Sequence, residues 1–597
     1  MMKKYKKLNK ALMKINFKIY YTLVCVFTLF VSCSDYLDVE PKSTGGINTF
    51  YSNPLEADIA IAGIYSVLAD DKIYGQNLNI IMETGTDEGF YNRRFNENWV
   101  TSLYRHTALT SEIYDAWSQL YQAINLSNLF IENIKEEGFT SEEYTRYLAE
   151  ARFLRAHCYQ LLTNWWNEVP MPLSSTKNQS DNNLPASSLE DLYAQIISDY
   201  TFASENLLDI SDPNYIQGRA SKWAAHGLLA RLYLKMAGYP FKDASKYQLA
   251  KDQCEIVMNS GRFSLNPSVT TTEINPNTGE EKIIVTQDGY RNHFLSYLKN
   301  DYDTQESIFE ISFKYLRSLG LFTDGRIGTT NGIPYPYGGG EEGYPFAFGG
   351  ESVSPSLETA YIQNKDSIRK WWNIPRYQGN GDGDISYVTS NLHVRYTPGK
   401  FRRWEPAVLS DWYNPGNLGN DPKPVSPAIE SINILEEGTI TKNFTGINFP
   451  VLRYADILLM YAEAENEING PTASAIGALD QVRNRAGVDL ISTAKPYVVA
   501  DKLQFFRELV DERLRELCFE GLRKTDLIRW ELLEQKMDQL EQDILFSDDY
   551  RDNNADHQAF LRSSINFKSN PEKFMSLPYP FQEVTINQKL EQKPLWQ

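Results

Sequence analysis

Between Ser111 and Trp166 the chain carries two long apolar stripes at steps of three and four, and that spacing restricts the region to paired amphipathic helices. In 111–135 the stripe is Ile113, Trp117, Leu120, Tyr121, Ile124, Ile131 and Ile134, and Gly138 follows as a stop. Thr140 with Glu143 is a capping box that opens the next helix. Its stripe runs from Tyr147 through Leu154, Cys158 and Leu162 to Trp165, until Pro170 and Pro172 end it. Ser187 with Glu190 predicts a further capped start, and 219–237 and 243–259 predict two more helices. Long helices joined by short connections point to a mainly α fold of tetratricopeptide-like hairpins stacked as a solenoid, although no strict 34-residue consensus is present.

Helical periodicity fades between about 261 and 450, where Gly, Pro, Asn and aromatic residues accumulate. It returns at 453–469, 472–486, 501–520 and 524–538, with Gly487 and Gly521 placed as helix-ending glycines. The organisation expected is therefore a leader at 1–32, a helical region at 33–260, an irregular loop-rich insertion at 261–450, and a helical region at 451–597 that completes one compact unit with 33–260. Aromatic residues make up 13% of the chain, and on composition many of those rings should lie outside a core.

The first 32 residues carry seven lysines and no acid, then a short apolar run from Ile19 to Val31. That run is too short for a comfortable membrane span, which needs about 20 residues. A basic start, a short apolar core and a small residue before the cut describe an export signal. Phe30-Val31-Ser32-Cys33 resembles a loose bacterial lipobox, which makes Cys33 the expected lipidation site. The formal charge is −18, and removing the seven leader lysines takes it to −25. Nucleic acid is excluded as an expected partner, because phosphate binding needs basic surface. Cys158, Cys254 and Cys518 are widely spaced on helical segments and read as small buried hydrophobes.

Several longer segments form a recognisable set: Arg453-Tyr454-Ala455-Asp456 with Ile457 through Ala464, Leu479 through Gly487, Glu512-Arg513 through Arg523, and Asp526 through Trp530. Ala149 through Ala156, Gly218 through Lys222 and Cys33 through Asp38 join them in the N-terminal half. Together they resemble the SusD/RagB family. The resemblance implies a surface-exposed, lipid-anchored outer-membrane protein that is not an enzyme. It implies capture of oligosaccharides, or in some branches peptides, and delivery to a TonB-dependent transporter of the SusC type. A secreted glycoside hydrolase is the enzymatic alternative, since carboxylate pairs are easy to find among 77 acids.

The charged residues within these segments read as structural: Arg453, Asp456, Glu463, Arg513, Glu516, Glu520 and Arg523 alternate with apolar neighbours and suit partly buried ion pairs between hairpins. Ligand chemistry belongs elsewhere. Sugars need flat rings and hydrogen-bonding side chains. The stretch 90–99, which follows Glu83, Asp87 and Glu88, offers Tyr91, Arg93, Asn96 and Trp99. The 324–350 stretch and the tryptophans beyond it offer Tyr337 and Trp372 as an opposite wall, with Trp404, Trp412 and Tyr413 extending the supply. No cofactor or metal is expected. Gly338 through Gly343 fits a G-x-G-x-x-G pattern, but its two glutamates would repel phosphate. Asn380 through Asp384 alternates oxygens as a Ca²⁺ loop does, yet Ile385 stands where the loop glycine belongs, so a turn is expected.

Overall fold

The computed structural model describes residues 50–91, 100–274, 276, 281–323, 325–336, 345–379, 385–388, 390–407, 432–551 and 558–597. The leader, Cys33, Arg93, Asn96, Trp99, Tyr337, the 338–343 glycines, the 380–384 stretch, Trp412 and Tyr413 lie outside the described residues.

The N-terminal helices are α1 (Pro54–Leu68), α2 (Asn77–Glu83), α3 (Ser111–Asn133), α4 (Ser141–Trp166), α5 (Leu189–Asn206), α6 (Lys222–Ala237) and α7 (Lys246–Asn259). From α3 to α7 each packs on the next, and α1 packs on α3 and α4. The capping box at Thr140 forms as expected: its hydroxyl accepts from Glu143 N at 3.2 Å, and its own N–H donates to Glu143 Oε2 at 2.8 Å. The next cap is Ser188, one residue beyond Ser187, because Ser188 Oγ is the atom that accepts from Asp191 N. Cys158, Cys254 and Cys518 are free and buried.

Within the 261–450 insertion are α8 (Gly289–Lys299), α9 (Pro355–Gln363) and α10 (Ser367–Asn373); beyond it come α11 (Tyr454–Asn469), α12 (Ala473–Arg485), α13 (Lys502–Leu517), α14 (Arg523–Arg529), α15 (Leu533–Phe546) and α16 (Phe581–Ile586). Helix α11 packs on α7, then on α12 and α13, so the solenoid resumes across the insertion as though unbroken. Gly487, at φ +68°, ends α12 in the left-handed region where a side chain would be strained.

Two expected helices are shorter than their apolar patterns. The 501–520 pattern stops at Leu517, because Phe519 turns left-handed (φ 58°) and donates its N–H to Glu88. The 524–538 pattern splits into α14 and α15 at Glu531 (φ 58°). There Tyr239 N–H takes the Arg529 carbonyl at 2.9 Å, and Lys242 pairs with Glu531 at 2.8 Å. Tertiary partners replace the helical continuation in both places.

The insertion is less irregular than its composition suggests. It contains α8, which the fading periodicity hides, and short antiparallel ladders. The strands that matter for the site are β1 (Gly89–Tyr91), β2 (Ser307–Ile311), β3 (Glu351–Val353), β4 (Tyr377–Gly379), β5 (Ile385–Tyr387), β6 (Trp404–Pro406), β7 (Ile432–Ile434) and β8 (Phe449–Arg453). The pairs are β1–β3, β2–β8, β4–β5 and β6–β7. β8 leads directly into α11, and Phe309 on β2 stands edge-on to Phe153 of α4 at 5.1 Å, which seats this ladder on the scaffold. Seven of the nine described tryptophans, 117, 165, 166, 223, 371, 372 and 404, are buried, and Trp530 and Trp596 are half-buried, so the aromatic excess is largely core rather than surface.

Candidate ligand-binding face

The described flanks of three stretches, 337–344, 380–384 and 408–431, are bound together on one buried platform, and the flank of a fourth, 92–99, pairs with β3, a few residues beyond 337–344 in the chain. Trp404 is at its centre, fully buried, with its ring 5.1 Å from Tyr335 and 5.3 Å from Tyr377, both edge-on. Its indole N–H donates to Ile333 O at 3.2 Å. Each neighbour belongs to the base of a different stretch. Tyr335 bridges Ala347 across 337–344. β4 pairs with β5 across 380–384, and β6 pairs with β7 across 408–431. Gly379 N–H donates to Pro334 O at 2.9 Å, which joins two of these bases directly. The fourth base is β1, where Tyr91 pairs with Glu351. A Cβ at Gly350 would come within 2.8 Å of the Tyr91 ring, so this close approach needs a glycine.

Charged side chains tie the platform to the scaffold. Arg403 donates to Glu436 at 2.7 Å and to the carbonyls of Phe346 and Thr441. Asp87, just before β1, pairs with Arg523 of α14 at 2.6 and 2.8 Å. Burial alone would raise the Asp87 carboxyl, and the Arg523 guanidinium outweighs it and holds it below the usual range. Glu88 accepts from Phe519 N–H, and Glu83 accepts from Asn79 and Asn331, each at 3.0 Å.

Behind these contacts is a buried ion-pair hub built from the charged residues of 453–529. Arg453 pairs with Glu516 at 2.6 Å, Glu520 at 2.7 Å and Glu306 at 3.2 Å. Arg369 from α10 reaches Glu512 at 2.7 Å and Glu516 at 2.9 Å, and Lys400 reaches Glu520 at 2.7 Å. A second arm runs from Arg231 through Asp456, Arg513 and Asp526 to Arg529 and Glu463. Burial opposes ionisation of Asp456, but Arg513 and Arg231 prevail and hold its carboxyl at about 2. Apart from the half-buried Arg231, these groups are buried outright rather than partly, and they bind the insertion as well as neighbouring hairpins.

Two of the expected ligand residues need correction. Trp372 is 2% exposed: the Arg402 guanidinium lies 3.9 Å over its ring, and a second cation, Arg291, is 5.7 Å from the ring centre. Tyr91 is 7% exposed, packed at Gly350. Neither presents a flat face to a sugar. Arg93, Asn96, Trp99 and Tyr337 belong to the 92–99 and 337–344 stretches. Glu83, Asp87 and Glu88 are buried anchors rather than ligand-facing acids. The anchoring cations Arg402, Arg403 and Lys400 have no sequence pattern that marks them, because their partners lie far away in the chain.

A helix-hairpin scaffold that holds the bases of several stretches is an arrangement suited to ligand binding. A SusD family model matches residues 430–596. A SusD-like model, described as starch-binding associating with outer membrane, matches 35–234. The chain belongs to the SusD/RagB family. A SusD-like protein of Formosa agariphila is 26% identical over 588 residues, spanning 96% of this chain and 97% of that one. The starch-binding protein SusD of Bacteroides thetaiotaomicron is 26% identical over 433 residues, spanning 68% of this chain and 67% of that one. The crystal structure of a SusD homolog from Bacteroides thetaiotaomicron superposes with a TM-score of 0.74 at 25% identity, covering 92% of this chain and 98% of that chain.

Proposed function

We propose that the protein captures oligosaccharides at the outer-membrane surface and delivers them to a SusC-type TonB-dependent transporter, held there by a lipid on Cys33. The observation that supports this most strongly is the convergence of three loop bases on the Trp404 platform, with the base of a fourth, β1, paired to the neighbouring strand β3. In the stretches that follow these bases, Trp99, Tyr337, Asn96 and Arg93 supply stacking faces and hydrogen bonds for a sugar. The acidic balance suits a neutral ligand better than an anionic one. The action is reversible capture, not catalysis, and tethering beside a transporter raises the local ligand concentration at the pore. The starch-binding relative supports a glycan as the ligand class.

Affinity electrophoresis of the chain starting just after Cys33, on plant, host and microbial polysaccharides, tests the reading. Retardation on at least one polymer is expected. No retardation on any polymer, alone or with the co-purified transporter, contradicts it.

A further inference from the structure

On α3, away from the loop face, a cavity of about 410 Å³ opens between that helix, the 170–184 connection and α16. The volume falls within the range of small-molecule sites, about 300–1,000 Å³. Its floor is Tyr121, Gln122 and Asn125; Pro170 and Pro172 form one wall, and Asn182 belongs to the other.

The walls are fixed before any ligand arrives. Tyr121 Oη donates to Pro170 O at 2.6 Å, and Asn128 Nδ2 donates to Pro172 O at 3.0 Å. Glu132 clamps Ser175 through its N–H at 2.8 Å and its hydroxyl at 2.6 Å. Asn587 Nδ2 donates to Leu184 O at 2.8 Å, which fixes the far wall to the end of α16.

The polar atoms are oriented as well. Thr176 donates its N–H to Asn125 Oδ1 and its hydroxyl to Asn182 Oδ1, both at 2.8 Å. With both oxygens occupied, the NH₂ ends of these two amides remain for a ligand. Gln122 adds an exposed amide, and Glu583 adds a carboxylate acceptor. Tyr121, Pro170 and Pro172 supply flat apolar surface. No lysine or arginine is among the described lining residues, so the cavity offers nothing that favours a phosphate or sulfate.

We propose that this cavity is a second, auxiliary saccharide site, which takes a neutral sugar unit of the same glycan whose capture at the loop face is proposed above. Donor amides, one carboxylate acceptor and ring-flat apolar walls match the hydroxyl edges and C–H faces of a pyranose. A glycan held at both places dissociates more slowly than from either alone, because the second contact is intramolecular.

Hydrogen–deuterium exchange on the whole chain beginning after Cys33 tests this, with maltoheptaose and laminarihexaose as probes. Exchange in 119–128 and 170–184 is expected to slow several-fold with at least one probe. The slowing should persist in Trp99→Ala, which alters the loop face. It should vanish in Gln122→Trp, which fills the cavity from an exposed position and leaves the thermal midpoint unchanged. No slowing at 119–128 and 170–184 with either probe overturns the site. Slowing confined to 89–91 and 345–353 also overturns it, while sustaining the loop-face reading. Slowing confined to the α3 cavity sustains the site and removes the loop face.

Discussion

Arg453 and Trp404 each sit at the centre of a buried cluster, and the two clusters solve the same problem with opposite chemistry. The Arg453 hub joins the end of β8, α13, Glu306 just before β2 and α10 through short ion pairs whose partners must be met in fixed directions. The Trp404 platform joins the bases of the binding loops through edge-on rings and a few backbone hydrogen bonds. Ion pairs in a dry interior penalise any misplacement, because a displaced partner leaves a charge bare. Ring contacts are less directional and permit exchange of shape at similar volume. The scaffold is thus specified by charge, and the binding face is supported by packing that accommodates different loops.

Four substitutions probe this contrast, from the largest expected effect to the smallest. Arg453→Ala leaves Glu306, Glu516 and Glu520 without their shared cation. We expect a loss of about 5 kcal/mol in denaturant unfolding, the upper end for breaking a buried pair. A loss under about 1 kcal/mol would show that the hub is not what holds the hairpins together. Trp404→Ala should cost about 3 kcal/mol through the cavity it leaves. Its helical circular dichroism should stay intact while polysaccharide retardation disappears; retained retardation would separate the platform from binding.

Glu83→Gln tests a carboxyl at the foot of β1. Burial, opposed by hydrogen bonds from Asn331 and Asn79, pushes Glu83 up to about 8. A carboxyl raised above its unfolded value stabilises the fold fully below about 4.5 and loses that contribution as pH rises through about 8. Wild-type stability should therefore fall between pH 5 and pH 9, and Glu83→Gln should flatten that fall, with a gain on the order of 1 kcal/mol at pH 9. Asn79 Oδ1, which has no partner, can receive the new amide NH₂ when the Asn79 amide turns over. Identical pH profiles for the two proteins would contradict the buried-acid account. Trp99→Ala should change stability by no more than about 0.5 kcal/mol, as expected for a side chain that serves the ligand rather than the fold. Its effect should appear in ligand retention alone.

The scaffold was readable from the sequence because its signals are local. The Thr140–Glu143 box, the α3 and α4 stripes and Gly487 act within a turn or two of themselves. The sign alternation from Glu512 to Arg523 correctly marks buried ion pairing, although the reach of those pairs to Arg369, Lys400 and Glu306 is not readable from spacing. What was misread depends on partners distant in sequence. Trp372 resembles a sugar platform until Arg402, thirty residues on, is found stacked on it. Tyr91 resembles a loop ring until Gly350 closes over it. The helical pattern at 524–538 breaks because Tyr239 and Lys242 take hold of the turn at Arg529 and Glu531. Of the candidate site, the placement of loop roots is visible in the structure, whereas the choice of rings rests on residue type.

The most direct test compares polysaccharide retardation of the wild-type chain with that of Trp99→Ala, Tyr337→Ala and the double variant, at matched thermal midpoints. Retardation that weakens in each single variant and vanishes in the double variant is the result this account predicts. Undiminished retardation in the double variant, with the fold intact, would contradict the assignment of capture to the 92–99 and 337–344 stretches.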